Sequence, residues 1–433
     1  MVVRERGMPE NNAYLCSPMS KSILTESPHY LSATLPCGVR VIFERQTTEV
    51  AYCGYVIGSG TSSELPEESG MAHFIEHMSF KGTERRDARH INDALEKVGA
   101  DLNAYTGKEE TVYYTAVSRE ELPRAIDVLT DMVFHSTFPQ KEIDKEVEVI
   151  ADEISSYKDT PSELIFDEFE EMLFKGSPLG RNILGDADRL RSYTTADARR
   201  FHSRLYRPGN ATFYIYADID FQRALRLLEK ATASLAPAEA EPVTEELPAI
   251  EPRVKTVDKG THMAHVITGA RAFGGDDPRR MPLLLLSNIL GGPAMNSRLN
   301  LLLRERRGLV YTVESYTGIY RHTGMWGIYF GCEPSNVERC RRLIASALGR
   351  MCTTPLSEAA LAAAKRQIRG QFLIGINDFS SYARGLGRAW AKYGRHRDVS
   401  AILRRIEAVT PQELCDVARD IMDPSRLTTL IYR

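Results

Sequence analysis

Apolar and polar positions along the chain alternate between short β-rich runs and longer stretches with helical periodicity. In the first half, "GVRVIFER" and "VAYCGYVIGSG" precede a helix, "ETVYYTAV" follows it, and long helical patterns lead to the apolar strand "ATFYIYAD". The second half has a similar order and closes on "RLTTLIYR". The strands and helices do not strictly alternate as they would in βαβ units. This order predicts an α+β fold with largely antiparallel sheets.

A constant offset of 216 residues relates landmarks in the two halves. Thr194 in "SYTTADARRF" matches Thr410 in "AVTPQELCDV", and Pro208 in "RPGNATFYIYAD" matches Pro424 in "DPSRLTTLIYR". An offset equal to half the chain indicates a tandem duplication. We therefore expect two homologous domains, each a mainly antiparallel sheet packed with helices, which together enclose a cleft.

The linker between the domains is indicated by composition. Residues 231–251, "ATASLAPAEAEPVTEELPAIE", contain three prolines and five glutamates but no lysine or arginine, which is typical of an extended, solvated segment. The predicted organisation is a flexible tail over 1–28, a first domain over 29–230, an acidic Pro-rich linker over 231–255 and a second domain over 256–433.

Composition and charge exclude several classes of partner. The 433 residues carry a net charge of −3, so no strong field attracts nucleic acid or an anionic membrane. No apolar run reaches the roughly 18 residues of a membrane span, and the first residues lack the apolar core of a secretory signal. Seven scattered cysteines without a CxxC pair favour a reducing compartment. We expect a cytoplasmic protein.

The stretch "GMAHFIEHMSFKGT" (Gly70–Thr83) carries the candidate chemistry. On a helix at about 100° per residue, His73, Glu76 and His77 share one side. Two imidazoles four residues apart can bind a tetrahedral Zn²⁺, and the glutamate beside them can reach a metal-bound water. The alternative is an exposed polar face with two ordinary histidines. The opposite side of the helix forms an apolar arc of Met71, Phe74, Ile75 and Met78.

Candidates for a third ligand lie in the acid-rich helical stretch "FPQKEIDKEVEVIADEISSY". At helical spacing, Glu146 and Glu153 fall inside an apolar arc, whereas Glu148 and Asp152 point away from it. A carboxylate on a buried face is costly unless it is paired or binds a metal. This leaves open a metal role or a buried ion pair for the two acids inside the arc. The predicted arc consists of Ile143, Val147, Val149, Ile150 and Ile154.

The second half serves as an internal control for these acids and histidines. It keeps the scaffold landmarks of the duplication but lacks the whole polar set. A scaffold role would favour retention in both copies, so the difference indicates that the set is functional. The residues at the corresponding positions are Ile289, Gly292, Pro293, Ala362 and Arg369.

The HxxEH order in "HFIEHMSFKGT" is the inverted zinc-peptidase motif, and the chain resembles the pitrilysin/insulinase family of zinc endopeptidases. The closer likeness is to the half-length branch that includes mitochondrial processing peptidase and its bacterial relatives. "LNAYTGKEETVYY" and "GGPAMNSRLNLLLRERRGLVYTV" are similar to further family segments, and the likeness covers most of residues 30–433. One departure is Gly99-Ala100, where the family often has two glycines.

The resemblance implies roles for five of these residues. His73, His77 and Glu153 would bind one Zn²⁺ per chain, since Glu153 follows His77 by 76 positions, which is the usual family spacing. Glu76 would act as the general base, which takes a proton from water and passes it to the leaving amine. Glu146 would orient a ligand imidazole, with a structural ion pair as the alternative.

The resemblance also implies that further residues bind the substrate. Arg304 and Tyr311 in "LRERRGLVY" match the family pair that reaches across from the second half to hold the peptide and stabilise the oxyanion. Their alternative is a basic turn at a helix end. A substrate could add to an exposed edge strand through main-chain hydrogen bonds, unless that strand is an ordinary sheet edge. The edge residues are Leu102, Asn103, Ala104, Tyr105 and Thr106.

The leading prediction is a zinc metalloendopeptidase that acts on unfolded polypeptides or short peptides inside a chamber. We expect a homodimer, because the metal set and the pair formed by Arg304 and Tyr311 occur in one chain. The alternatives are a catalytically silent subunit, against which the intact metal set counts, and an active subunit that needs a related partner in a heterodimer.

Overall fold

The computed structural model describes residues 23–27, 30–239 and 247–433. The predicted flexible tail over 1–28 lies outside the described residues as far as residue 22. It needs correction at 23–27, which form a strand that pairs antiparallel with residues 30–34. An open sheet edge can recruit such a strand through backbone hydrogen bonds alone, and the composition of the segment does not reveal this.

The first half contains a seven-stranded sheet in the order β1-β2-β3-β7-β4-β6-β5, with helices over its faces. Its strands are β1 (Ile23–Ser27), β2 (Tyr30–Thr34), β3 (Arg40–Arg45), β4 (Val50–Ile57), β5 (Asp101–Thr106), β6 (Thr111–Ser118) and β7 (Ala211–Ala217). Its helices are α1 (Met71–Met78), α2 (Ala88–Glu96), α3 (Leu122–Phe134), α4 (Gln140–Lys158), α5 (Pro161–Leu173), α6 (Ala187–Leu190), α7 (Thr195–Leu205) and α8 (Phe221–Ala231).

The second half contains a five-stranded sheet in the order β10-β11-β9-β12-β8. Its strands are β8 (Val254–Val257), β9 (Ala264–Phe273), β10 (Thr312–Ile319), β11 (Thr323–Cys332) and β12 (Thr428–Tyr432). Its helices are α9 (Arg280–Gly291), α10 (Val337–Thr353), α11 (Glu358–Gly375), α12 (Phe379–Tyr393), α13 (Val399–Glu407) and α14 (Pro411–Ile421). Within the described ranges, no helix combines the length and the apolarity needed to cross a bilayer.

The predicted duplication is confirmed by the sheet topology. The order β5-β6-β4-β7-β3 in the first half corresponds strand by strand to β10-β11-β9-β12-β8 in the second. Each sheet is antiparallel except for one parallel pair, β3 with β7 and β8 with β12. Even the helix starts correspond, since capping boxes join Thr194 to Asp197 before α7 and Thr410 to Glu413 before α14. A capping box satisfies two otherwise unpaired backbone donors at a helix start.

The two halves exchange one helix each. Helix α5 of the first half packs on the sheet of the second, where Phe169 joins a buried cluster with Ile267 and Leu430. Helix α12 of the second half packs on the sheet of the first, where Leu386 joins a cluster with Tyr214. Both faces of each sheet are therefore covered, which explains why all seven residues of β7 are buried.

The exchange of helices predicts that a side chain added at Gly387 of α12 destabilises the protein. A Cβ at this position would overlap the ring of Tyr214, which lies fully buried on β7. We expect Gly387→Ala to destabilise the protein by about 1–3 kcal/mol, because the packed helix must shift away from the sheet. Gly349→Ala in α10 is the control, since a Cβ there meets no atom within 4 Å. Thermal unfolding should show a lower Tm for Gly387→Ala alone.

Candidate metal centre

Helix α1 is fixed at its N-terminus by a buried glutamate. Gly70 precedes the helix with φ of 80°, a left-handed conformation that favours glycine. The carboxylate of Glu64 accepts hydrogen bonds from the backbone N–H groups of Gly70, at 3.2 Å, and Ala72, at 2.9 Å. Burial raises the pKa of Glu64 to about 8. These contacts set the direction in which the helix enters the site.

The two sides of α1 have the environments that its pattern predicts. Its apolar side chains all belong to the core of the first half. His73 and Glu76 are buried as well, whereas the side chain of His77 remains 22% exposed. The helix therefore holds three ionisable groups at the boundary between the core and the solvent. The apolar set is Met71, Phe74, Ile75 and Met78.

Two imidazoles and one carboxylate converge beside this helix. The Nε2 atoms of His73 and His77 lie 3.9 Å and 3.7 Å from Oε2 of Glu153, which α4 supplies. These separations are too long for hydrogen bonds, and all three donor atoms lie within 4.8 Å of one another. A tetrahedral Zn²⁺ with bonds of about 2.0–2.1 Å places its ligands about 3.4 Å apart. The donor set thus fits zinc.

The burial of the two α4 glutamates differs from the prediction. Glu146 is buried, but the side chain of Glu153 is 45% exposed. Val149, expected in the apolar arc, is 52% exposed. At helical spacing both Val149 and Glu153 fall at the border of the arc around Ile143 and Ile150, and that border faces the open side of the site. Burial therefore distinguishes Glu146 as predicted, whereas the predicted burial of Glu153 is wrong.

The protonation states of the histidines follow from their surroundings. Burial, with a contribution from His77, lowers the pKa of His73 to about 3, so its imidazole is neutral, as metal binding requires. Burial also opposes charge on His77, but the Glu146 hydrogen bond and the nearby carboxylates together raise its pKa. The Nδ1 atom of His73 is buried and has no partner among the described residues.

Glu146 joins His77 to a lysine. Its Oε1 accepts a hydrogen bond from Nδ1 of His77 at 2.9 Å, and its Oε2 lies 2.6 Å from Nζ of Lys81. Burial alone would raise the pKa of Glu146, but these two partners lower it. The contact leaves Nε2 of His77 facing His73 and Glu153. This is the geometry that an orienting role for Glu146 requires.

Removing this carboxylate should weaken metal binding without removing a ligand. We expect Glu146→Ala to lower zinc affinity by about 10- to 100-fold, because His77 loses the group that fixes its tautomer and ring orientation. Asp144→Ala, an exposed position on the same helix, should leave affinity unchanged. Competition titration with a fluorescent chelator measures both. Equal affinities in the two variants would contradict the orienting role.

Glu76 is held by the end of strand β5. The hydroxyl of Thr106 donates a hydrogen bond to Oε2 of Glu76 at 2.6 Å. Burial raises the pKa of Glu76, and the nearby charge of Glu153 raises it further. The Thr106 hydrogen bond and His77 lower it. The carboxyl therefore titrates above its ordinary range and closer to neutrality.

This hydrogen bond predicts a shift in pH dependence. A general base works as its carboxylate, so the acid limb of kcat/KM falls as pH drops through the pKa of Glu76. The Thr106 bond stabilises the carboxylate, and its loss in Thr106→Val raises that pKa further. We expect the acid limb of Thr106→Val to move to higher pH, and that of Thr106→Ser to stay with the wild type. Superimposable profiles for Thr106→Val and wild type would exclude this coupling.

Among the described residues, strand β5 forms one edge of the seven-stranded sheet and pairs with β6 alone. Leu102 and Ala104 pack against the core of the first half. Tyr105 projects to the other face, where its ring lies 6.3 Å from that of Tyr114. The sequence thus located an edge strand correctly, and its role in substrate binding stays a prediction.

Arg304 and Tyr311 lie in the second half, shortly before strand β10. Both are exposed, and the Tyr311 hydroxyl donates a hydrogen bond to Oε1 of Glu333 at 2.8 Å. Arg304 lies in a π-helical turn over Asn300–Glu305. Among the described residues, neither side chain has a hydrogen bond or ion pair with the three candidate ligands. Their catalytic role stays a prediction.

Two residues of the site were missed in the sequence. Lys81 follows His77 by four residues, so helical spacing places it on the same side and could have drawn attention to it. Glu64 caps α1 from six residues before Gly70, and no local pattern announces a cap supplied from that distance.

Each half of the chain matches the model of a known family. Residues 40–187, which contain the three candidate ligands and Glu76, match the family model "Insulinase (Peptidase family M16)". Residues 192–368 match the model "Peptidase M16 inactive domain". The second description agrees with the loss of the polar set from the second half.

Several curated relatives are similar over nearly the whole chain. An uncharacterized zinc protease of Streptomyces coelicolor is 33% identical over 398 residues, which cover 90% of this chain and 86% of the relative. The uncharacterized zinc protease YmxG of Bacillus subtilis is 31% identical and covers 91% and 96%. The beta subunit of the bovine mitochondrial-processing peptidase is 27% identical and covers 91% and 82%.

Solved structures share the fold. A protease from Helicobacter pylori superposes with a TM-score of 0.85 at 21% identity and covers 94% of this chain and 99% of its own. A peptidase M16 inactive domain from Pseudomonas fluorescens superposes with a TM-score of 0.83 at 18% identity, with coverages of 93% and 97%. The family matches and the relatives named zinc proteases show that the chain belongs to the insulinase family of peptidases, family M16.

Proposed function

We propose that this chain is a zinc-dependent endopeptidase that hydrolyses bonds within short or unfolded polypeptides held between its two halves. One observation carries the proposal. Two imidazoles and a carboxylate converge within 4.8 Å, and the buried Glu76 lies on the same helix between the two histidines. This arrangement joins a metal site with three protein ligands to a general base, as peptide hydrolysis requires.

Zinc, when held by His73, His77 and Glu153, supplies Lewis acidity and lowers the pKa of water toward neutrality. Glu76 acts as the general base and then as the general acid. Its Oε2 accepts a hydrogen bond from the Thr106 hydroxyl, and we propose that Oε1 accepts the proton from the attacking water. The same atom then delivers the proton to the amide nitrogen that leaves. A carboxyl whose pKa is raised by burial can give the proton up again as well as take it.

The edge of strand β5 is the proposed binding site for the substrate backbone. A strand at a sheet edge presents unpaired backbone N–H and C=O groups, to which an extended peptide can hydrogen-bond. Thr106, the last residue of this strand, touches Glu76, so a peptide paired along β5 runs directly to the metal centre. Main-chain pairing would accept many sequences and requires a substrate that is locally unfolded.

The second half would contribute Arg304 and Tyr311 to the same reaction. Both side chains are exposed, so they are available to hold the peptide and to donate hydrogen bonds to the developing oxyanion. Within the described ranges neither side chain bonds to the metal ligands, so both would act through a substrate bound between the two halves. A homodimer that encloses a chamber is the assembly we propose.

A second candidate is an active subunit that depends on a related partner. The similarity to a relative named as a subunit, the beta subunit of the bovine mitochondrial-processing peptidase, supports it. The proposed compartment is the cytoplasm, which is supported by the six described cysteines, all free and buried. These are Cys37, Cys53, Cys332, Cys340, Cys352 and Cys415.

A digest of an unstructured peptide library by the purified chain tests the proposal. We expect cleavage at internal bonds, identified by mass spectrometry, and none in the presence of a zinc chelator. Release of terminal residues alone would contradict endopeptidase activity. Cleavage that appears only after addition of a related chain would favour the partner-dependent candidate.

A further inference from the structure

A cavity of about 940 Å³ lies between the two halves, at the end of strand β5. Tyr105 lines it from the first half, whereas Ile319 of β10 and much of α12 line it from the second. The residue next to Tyr105 is Thr106, whose hydroxyl binds Glu76. The cavity therefore begins next to the residue that binds the proposed general base, on the opposite face of the same edge strand.

The lining of this cavity is strongly basic. Seven lysine or arginine side chains face three aspartates. Four of the seven have carboxylate partners: Arg388 with Glu110, Lys392 with Glu109, Arg395 with Asp276 and Arg405 with Glu413. Among the described residues, the other three have no ion pair. These are Arg280, Arg384 and Arg397.

Within the described ranges, the three unpaired arginines have no carboxylate in ion-pair contact, although the charge of Asp276 acts on Arg280 from a distance. Arg384 donates to the hydroxyls of Ser380 and Ser381, at 2.6 Å and 3.0 Å, and lies over the ring of Tyr114. Arg280 and Arg397 are half-buried, and burial lowers the pKa of each. A desolvated cation costs free energy until an anion pairs with it. The cavity thus offers binding energy to an anion.

The position of one arginine depends on a glycine of α12. A Cβ at Gly385 would overlap the Nη1 atom of Arg397. The missing side chain therefore leaves the space in which this guanidinium lies against the helix. Any larger residue at 385 would displace the charged group while leaving the charge in the protein.

A peptide on β5 would reach this cavity with alternate side chains. Ala104 packs toward the core, and Thr106 binds Glu76 on the metal side, whereas Tyr105 points to the opposite face and lines the cavity. A strand added at this edge alternates in the same way, and its side chains lie beside their cross-strand neighbours. Substrate side chains on the Tyr105 face would therefore point into the basic cavity.

We propose that this cavity is a subsite for a carboxylate of the substrate peptide, supplied by an aspartate or glutamate side chain or by its C-terminus. The inference rests on the proposed peptidase function and adds a substrate preference to it. Arginine matches the planar geometry of a carboxylate and binds it through two parallel hydrogen bonds. Peptides with a carboxylate at the position facing Tyr105 should therefore bind more tightly than their amide counterparts.

The test measures binding to the zinc-loaded full chain carrying Glu76→Gln, which prevents turnover. Fluorescent peptides are compared in pairs, with Glu or Gln at each successive position and with a free or amidated C-terminus. We expect one member of the series to lose about tenfold or more in affinity when its carboxylate becomes an amide. A loss on internal Glu→Gln identifies a side chain, and a loss on amidation identifies the C-terminus. Equal affinities throughout would overturn the proposal.

Two further variants tie the preference to the cavity. Arg397→Gln and Gly385→Ala, made in the same background, should each reduce the ratio between carboxylate and amide peptides. Arg223→Gln, an exposed arginine on α8, should keep the ratio. A ratio that persists in both cavity variants would contradict the assignment. If Glu76-intact protein cleaves the paired peptides equally well, the subsite fails and the peptidase stands. If that protein cleaves none of them, the peptidase proposal fails.

Discussion

Replacing Glu76 with glutamine is expected to lower kcat for peptide cleavage by a factor of about 10² to 10⁴ or more, while zinc stays bound. Glutamine has nearly the same shape and can still accept the Thr106 hydrogen bond, but it cannot take a proton from water. Single-turnover cleavage of a fluorogenic peptide, with zinc content measured on the same sample, separates these two effects.

The matched control is Glu67→Gln, an exposed glutamate just before α1. It should retain both cleavage and zinc. Undiminished cleavage by Glu76→Gln would rule out this residue as the general base. Loss of zinc together with activity would mean that Glu76 supports the metal rather than the proton transfer.

Replacing Glu153 with alanine is expected to remove most of the bound zinc. The change deletes one of three protein ligands and the negative charge that faces both imidazoles. Two neutral histidines on one helix bind zinc far more weakly than the full set. Zinc per chain after gel filtration should fall from about one to near zero.

Asp152→Ala is the matched control, because Asp152 is the exposed neighbour of Glu153 on α4. It should keep its zinc. Zinc should raise the Tm of the wild type and of Asp152→Ala, since a ligand that binds the folded state stabilises it, but not that of Glu153→Ala. A Glu153→Ala variant that retains zinc would show that the third ligand is another residue.

Helical spacing and the internal repeat predicted the parts of the molecule that depend on local pattern. The apolar arc of α1 set apart His73, Glu76 and His77, and the structure brings them together with Glu153. The offset of 216 residues is realised in matching sheets and in the paired capping boxes. These features repeat at short or constant spacing, so a single sequence contains them.

The parts that depend on packing between distant segments were not predictable in this way. The exchange of α5 and α12 follows from two sheets that each expose an apolar face, and neither helix carries a local mark of its partner. Glu153 is half-exposed because the border of the α4 arc faces the open side of the site, which helical spacing alone does not show. Lys81 acquires its role only through Glu146.

Zinc dependence is tested by measuring the zinc content and the peptide cleavage of the purified wild-type chain before and after removal of metal with a chelator. We expect about one zinc per chain, loss of cleavage with the metal, and recovery of cleavage in proportion to the zinc added back, up to one per chain. A chain that binds no zinc, or that cleaves peptides equally well after the metal is removed, would contradict the assignment of a zinc-dependent peptidase.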